Sequence, residues 1–467
     1  MRYISTRGDA PTAGFLDAVL ESLAPDGGLY IPEAWPKLTK ADFAAYTRMS
    51  YAELAADVLG RFCGDEIDAA TLRRMTEDAY QPFTHAAVVP LKQLDRGLWL
   101  QELFHGPTLA FKDVAMQLLA RLYDHALGLR GQTATILVAT SGDTGGAAVE
   151  AFRGRSNVRL VVLYPHGRIS EVQRRFITTA EEDNVRVVAI NGVFDDCQTI
   201  VKALFQDPSL HNCGLSGVNS INFARIAAQT VYYFASGVAL GAPDRAVSYS
   251  VPTGNFGDAF AGYVARQMGL PIERLIVATN ANDIMSRMVE TGRYARAPVQ
   301  ATQSPAMDIQ AASNFERLYF EGVNHEGLDT ARAMRAFAET GVIDIPPHAR
   351  RMMVDLFRGA SVDEAETART MVATLHMTGE LIDPHTAVGV AAARRIGSAN
   401  PDTPLVALST AHPAKFPETV LAATGVSPVV PAQVEALEHR QERFERMPAQ
   451  INRVKAVVRD VMGLASA

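Results

Sequence analysis

Six apolar runs dominate the chain beyond residue 130, and each ends in a polar or glycine-bearing loop. They are "TATILVAT" (133–140), "VRLVVLYP" (158–165), "NVRVVAI" (184–190), "AVSYSVP" (246–252), "ERLIVATN" (273–280) and "TPLVALST" (403–410). Runs so rich in Val, Ile and Leu leave no face for water, and helical stretches beginning near Gly145, Ser170 and Phe194 separate the first of them. Strands buried on both faces and alternating with helices predict parallel sheets assembled from right-handed βαβ units. The return of the pattern after residue 245 predicts two α/β layers in one body. The first 87 residues lack such a run and read as short helices around turns such as "PDGGLYIP". A proline-punctuated link, "VSPVVPAQV" (426–434), leads to a tail that reads as a charged helix and a packing arm.

Length and composition narrow the class. A chain of 467 residues with 48% hydrophobic content supports two or three domains, since one domain takes roughly 100–200 residues. The net charge of −7 is spread along the chain and gives no reason to expect nucleic acid or an anionic membrane as partner. Cys63, Cys197 and Cys213 have neither metal-ligand spacing nor a disulfide pattern. The first residues carry no signal pattern, and no apolar run approaches the ~20 residues of a membrane span. The expectation is a cytoplasmic protein.

Ligands of open α/β sheets bind beyond the carboxyl ends of the strands, so the loops there are the candidates. "TSGDTGGAA" (140–148) runs from a strand into a helix start, where unpaired N–H groups favour an anion. Ser141, Asp143 and Thr144 suit that role and suit plain helix capping equally well. "VPTGNFGDAFAGY" (251–263) repeats the form, with Gly254, Asn255, Phe256 and Gly257 offering successive N–H groups to a phosphate. Both lack the Gly-Lys-Ser/Thr ending of a nucleotide P-loop and the three-glycine dinucleotide spacing. Ser409 and Thr410 close another strand. Asn219, Ser220 and Asn222 precede a helix with Arg225 one turn in, the residue to suspect if the ligand is anionic.

Within "ELFHGPTLAFKDVAMQLLARL" (102–122), Phe111, Val114, Ala115, Leu118, Leu119 and Leu122 fall at helical spacing. Lys112 stands at the helix start, just outside that stripe. Lysines there usually snorkel to water, whereas a functional one is desolvated and able to lose its proton. Two phosphate-shaped loops, a lysine at a helix start and a hydroxyl at a strand end fit one cofactor, pyridoxal phosphate.

Taken together, "HGPTLAFKD", "ATSGDTGGAA", "PTGNFGD" and "LSTAHPAKF", with the opening "YISTRG" and "DGGLYIP", resemble the threonine synthases of bacteria and fungi. The resemblance runs to about Glu418 and implies the fold type II architecture of the tryptophan-synthase-β-like pyridoxal-phosphate enzymes: two open, mostly parallel sheet domains plus a helical N-terminal region. The implied divisions are 1–87 for the N-terminal region, 88–122 with 215–430 for a large cofactor-binding domain, 123–214 for a smaller domain and 431–467 for a helical tail. By the same resemblance Lys112 carries the cofactor and shuttles protons, Gly254, Asn255, Phe256 and Gly257 cradle its phosphate, and Asp258 also belongs to the cofactor-binding set. Thr410, rather than Ser409, meets the ring nitrogen. Ser141, Asp143 and Thr144 surround the substrate carboxylate and the ring hydroxyl, where cysteine synthases carry asparagine at the position of Asp143.

The implied reaction is O-phospho-L-homoserine plus water to L-threonine plus phosphate, in a monomer or homodimer. Arg225, Lys415 and the basic residues near Arg168 are candidates for the substrate phosphate. His105, His385 and His412 are candidates for titration near neutral pH. Asn280, Asn282, Asp308, Ser313 and Asn314 are further candidate ligands. A phospho-lyase or dehydratase releasing 2-oxobutyrate is the alternative within the same enzyme group, and a catalytically silent binding protein the alternative outside it.

Overall fold

A computed structural model describes residues 1–210 and 213–464. Two open sheets carry the fold. The larger has six strands in the order Phe357–Ser361, Ile272–Thr279, Val247–Pro252, Leu405–Ser409, Leu98–Glu102 and Leu91–Asp95. All its neighbours run parallel except the last pair, a hairpin. The smaller has five strands, all parallel, in the order Glu445–Pro448, Val185–Asn191, Val158–Pro165, Ala134–Ala139 and Leu215–Ser216. The six runs read from the sequence are the central strands of these two sheets.

Side-chain alternation along each strand explains how the sheets share a core. Val406 and Leu408 point into one continuous cluster, while Leu405 and Ala407 point into a separate cluster on the opposite face. Leu275 and Val277 go with the former pair, Ile276 and Ala278 with the latter. In the smaller sheet Leu160, Val162 and Tyr164 join the same continuous cluster, and Val161 and Leu163 face a third. The period of two thus gives each sheet one face toward a common core and one toward its own helices. The N-terminal helices Phe15–Glu21, Tyr51–Cys63 and Ala69–Tyr80 add Phe15, Val58, Phe62 and Leu72 to the common core.

Two readings are corrected. The tail is not one charged helix: it holds the short helix Ala432–Glu438, the strand Glu445–Pro448 and the helix Ile451–Met462. The strand extends the smaller sheet beside Val185–Asn191, and Met447, Val454 and Val458 complete that sheet's outer core. Nor is Lys112–Arg130 a one-faced helix. Residues 112–120 are buried on every side, Asp113, Met116 and Gln117 included. Helices Asp143–Phe152, Phe223–Ala239, Ala69–Tyr80 and Phe15–Glu21 all pack against it, and Lys112 has no solvent face to snorkel to.

Candidate active site

The loop before Lys112 is laid across the end of the strand Leu405–Ser409. Leu103 N–H donates to Ser409 O at 2.9 Å, Phe111 N–H to Thr410 O at 2.9 Å, and His412 N–H to Leu109 O at 3.0 Å. Asp113 ties the loop from inside the helix, accepting from Thr108 N–H at 2.8 Å and from the Thr108 hydroxyl at 2.6 Å. Burial pushes the Asp113 carboxyl up to about 6 against those two hydrogen bonds. Lys112 therefore enters the site on a rigid support. Its Nζ lies over the Phe111 ring, 4.7 Å from the centroid.

Asp143, first residue of the helix Asp143–Phe152, faces it. Lys112 Nζ is 3.5 Å from Asp143 Oδ2, and Lys415 Nζ is 2.8 Å from Oδ1. Gln173 Nε2 also donates to Oδ1, at 3.0 Å. Burial pushes the Lys112 amine down, Asp143 opposes that, and Lys415 and Arg225 push it down further. Burial works against the Asp143 charge, yet Lys415, Lys112 and His385 hold the carboxyl well below its usual range. The site thus keeps a fixed carboxylate beside an amine that gives up its proton easily. Gly142 precedes it with φ +129°, and a Cβ there would stand 2.4 Å from Gln173 Cδ, so glycine alone lets these groups close up.

The second glycine loop leaves the strand Val247–Pro252. Phe256 turns through φ 63° into the helix Gly257–Met268. Among the described residues no protein acceptor takes the N–H groups of Gly254, Asn255, Phe256 or Gly257. A Cβ at Gly254 would meet Ala306 O at 2.7 Å, so the loop's backing admits no side chain. Asn314 fixes the loop from behind: its N–H donates to Asn255 O at 3.1 Å, and its Nδ2 to the same oxygen at 3.2 Å. Four free donors at a helix N-terminus make an anion cradle. Behind them Asp258 Oδ1 accepts from Tyr232 and Tyr233 at 2.5 and 2.9 Å, its Oδ2 has no partner, and burial pushes it up to about 6.

Arg225 lies in the first turn of the helix Phe223–Ala239, which packs on Gly257 through Ile226 and Gln229. It is 4% exposed and donates through one Nη to Val218 O at 3.2 Å, while its Nε has no partner. No carboxylate pairs with it among the described residues, and burial pushes it down to about 10. A buried cation without a counter-ion is costly unless an anionic ligand completes it.

The two hydroxyls after Leu408 differ. Ser409 Oγ is 3.1 Å from Thr386 Oγ1, within a network through Asp383 to His385 Nδ1. The Thr410 hydroxyl has no hydrogen-bond partner among the described residues, although the residue is buried. Ser141 and Thr144 flank Asp143 at its helix start, both partly exposed.

Other sequence candidates are engaged elsewhere. Lys415 is 1% exposed, donates to Thr108 O at 2.7 Å and pairs with Asp143 at 2.8 Å. Asn280 and Asn282 bond to Asp308 at 2.8 and 3.0 Å in a loop-bracing network. Asn222 caps its own helix and reaches Val19 O. His105, paired with Glu102 at 2.7 Å, and His412, which burial pushes down to about 4, line a separate cavity of about 390 Å³. The sequence reading passed over Gln173 as a site-building group. Gln173 advertises only the capping box it makes with Ser170, and its reach to Asp143 is set by tertiary packing.

The donor set fits pyridoxal phosphate. It offers a cradle for a phosphate, a buried amine for an aldehyde and an unbonded hydroxyl for a ring nitrogen, with orphan donors on Arg225 left for a second anion. Comparison with known proteins agrees. Residues 2–80 match the family model described as threonine synthase N terminus, 81–356 that of pyridoxal-phosphate dependent enzyme, and 386–458 that of threonine synthase, C-terminal. The threonine synthase of Pseudomonas aeruginosa is 48% identical over 460 residues, 98% of either chain. The crystal structure of PLP-bound threonine synthase from Brucella melitensis superposes with a TM-score of 0.96 at 50% identity, covering 99% of both chains. That of threonine synthase from yeast does so with a TM-score of 0.93 at 36% identity, again over 99% of both.

Proposed function

This chain belongs to the threonine synthase family, and we propose that it converts O-phospho-L-homoserine and water into L-threonine and phosphate with pyridoxal phosphate as cofactor. The observation that carries the reading is the grouping of a buried Lys112, whose amine burial pushes down, with two anion sites, the 254–257 cradle and Arg225. A substrate that brings its own phosphate to a phosphate-bearing cofactor needs both.

Bound pyridoxal phosphate supplies a carbonyl for the amines and a conjugated ring that takes up electrons released at the substrate's Cα and Cβ. Lys112 Nζ holds the cofactor until the substrate amine displaces it, then takes and returns protons at Cα and Cβ. The N–H groups of Gly254, Asn255, Phe256 and Gly257 bind the cofactor phosphate, and Asp258 completes that end of the site. Thr410 Oγ1 donates to the ring nitrogen without giving it a proton, which favours elimination over transamination. Ser141 and Thr144, beside Asp143, take the substrate carboxylate at a helix N-terminus, while the Asp143 carboxylate accepts from the ring hydroxyl. Arg225 takes the substrate phosphate, with Asn219 and Ser220 at the entrance to the same helix.

The sequence divisions serve as domains in this reading: 1–87; 88–122 with 215–430; 123–214; and 431–467. The strand Glu445–Pro448 attaches the last to the third. The substrate is a small molecule, and no nucleic acid is required. Among the described residues no helix is long and apolar enough to cross a membrane. The working form is a cytoplasmic monomer or homodimer, which light scattering will distinguish.

The test combines an absorbance spectrum with product analysis of wild type and Lys112→Ala. Equal yields of threonine and phosphate from a yellow protein, both lost in the variant, are expected. Phosphate released with 2-oxobutyrate would move the function to a phospho-lyase, and a protein that stays colourless with added cofactor would refute the reading.

A further inference from the structure

One carboxylate serves two lysines at the centre of the site, and the two contacts are unequal. Lys415 Nζ sits 2.8 Å from Asp143 Oδ1, a close ion pair, whereas Lys112 Nζ is 3.5 Å from Oδ2. Lys415 is also the deeper of the two. It lies 1% exposed, its second donor goes to Thr108 O at 2.7 Å, and its ammonium lies over the Phe176 ring at 5.5 Å. It cannot swing to water, and it touches none of the groups assigned to the cofactor phosphate. Its own carbonyl accepts from Ser170 Oγ at 3.0 Å, next to the Gln173 that donates to Asp143. The pair is therefore built from both sheets and locked on each side.

We propose that Lys415 is a positioning residue for Lys112: by occupying Asp143 Oδ1 it stops that carboxylate from closing onto the Lys112 ammonium, and so keeps the Lys112 amine free to lose its proton. The proposal rests on Lys112 as the cofactor-bearing lysine. A free amine is what attacks a carbonyl, and an ammonium gripped by a buried carboxylate does not. The Asp143 charge favours the ionised form of Lys112 against the burial that disfavours it. A second lysine on the same carboxylate weakens that hold and so acts in the same direction as burial.

The other charges around Lys112 are accounted for. Arg225, from the helix Phe223–Ala239, acts on Lys112 in the same direction as Lys415. Asp258, from the helix Gly257–Met268, is an acid facing it from the phosphate loop. Asp113 turns its carboxyl away to Thr108, and His385 acts on Asp143 from behind. Among the lysines only Lys415 touches the carboxylate that Lys112 shares.

The experiment measures the pH midpoint of Lys112 reactivity in the full chain by two independent readings. One is the rate of pyridoxal phosphate uptake by cofactor-stripped protein, followed by visible absorbance. The other is competitive labelling with fluorodinitrobenzene, read by mass spectrometry of the Lys112 peptide. Lys415→Met is expected to raise the midpoint by about 1 pH unit or more, Lys415→Arg to keep it near wild type, and Asp143→Asn to lower it.

An unmoved or lowered midpoint in folded Lys415→Met would overturn the proposal. Should that variant not fold, an unmoved midpoint in Asp143→Asn does so equally, because it would show that the shared carboxylate has no hold on Lys112. The labelling arm needs no cofactor. If wild type takes up none, the assigned function fails, while the action of Lys415 on Lys112 is still read.

Discussion

Replacing Arg225 with methionine separates what this residue costs the fold from what it does for the substrate. Burial pushes the guanidinium from the usual 12.5 down to about 10. A shift of that size corresponds to about 3 kcal/mol of unfavourable charge burial, at about 1.4 kcal/mol per unit. The sign follows from linkage: a base whose folded pKa lies below its unfolded value carries this penalty at every pH below the folded pKa, so it is fully present at pH 7. Against it stands one hydrogen bond to Val218 O, worth about 1 kcal/mol. Methionine fills similar space without the charge, so Arg225→Met is expected to stabilise the ligand-free chain by about 1–2 kcal/mol. A urea titration of wild type and variant at pH 7, with no phosphate in the buffer, reads this directly. In the same variant the KM for O-phospho-L-homoserine should rise between about 10- and 100-fold, the loss of a charge-assisted phosphate contact of about 1.5–3 kcal/mol. A variant that is less stable and keeps its KM would refute the reasoning, because Arg225 would then be a structural cation and not an anion receptor waiting for its ligand.

Three further outcomes are expected. Gly254→Ala should fold, yet weaken pyridoxal phosphate binding at least ~10-fold by fluorescence titration, since its Cβ would stand 2.7 Å from Ala306 O and push the cradle out of line. Asp113 and Asp258, both held near 6, add stability when protonated. That contribution is complete below their unfolded values near 3.9 and is lost as pH rises through about 6. Between pH 7.5 and 5.5 His412, held near 4 in the fold, charges only in the unfolded chain and opposes this gain, so the comparison is with a variant: Asp258→Asn, which keeps an acceptor for Tyr232 and Tyr233, should lose urea midpoint relative to wild type as pH falls, and an unchanged difference would remove Asp258 from the account. Thr410→Val should leave thermal stability near wild type because its hydroxyl has no protein partner, while Ser409→Ala should cost about 1 kcal/mol by breaking the link to Thr386. Thr410→Asp should shift products toward transamination, and unaltered partitioning would end the argument for a neutral ring nitrogen.

Much of this protein was legible in the chain because it rests on local rules. Runs such as "TATILVAT" and "TPLVALST" can only be strands buried on both faces, and a period of two distributes their side chains between two cores. Glycine loops at strand ends, with Lys112, Ser141, Asp143 and Thr410 beside them, mark the candidate site because helix N-termini carry free N–H groups wherever they occur.

Tertiary structure alone decided the electrostatics. Nothing local to Lys415 says that its side chain reaches Asp143, for the two are 272 positions apart and meet only when the sheets close on each other. Gln173 reads as a cap and is one, yet its amide also reaches Asp143. Arg225 reads as a charged residue early in a helix, and only packing turns it into a buried cation with no paired carboxylate among the described residues. The tail strand Glu445–Pro448 is too short and too charged to declare itself, and the exposed edge of Val185–Asn191 makes it a strand. Sequence set the elements and the kinds of groups at their ends, while the charge and burial each group experiences depend on neighbours that the chain brings together only on folding.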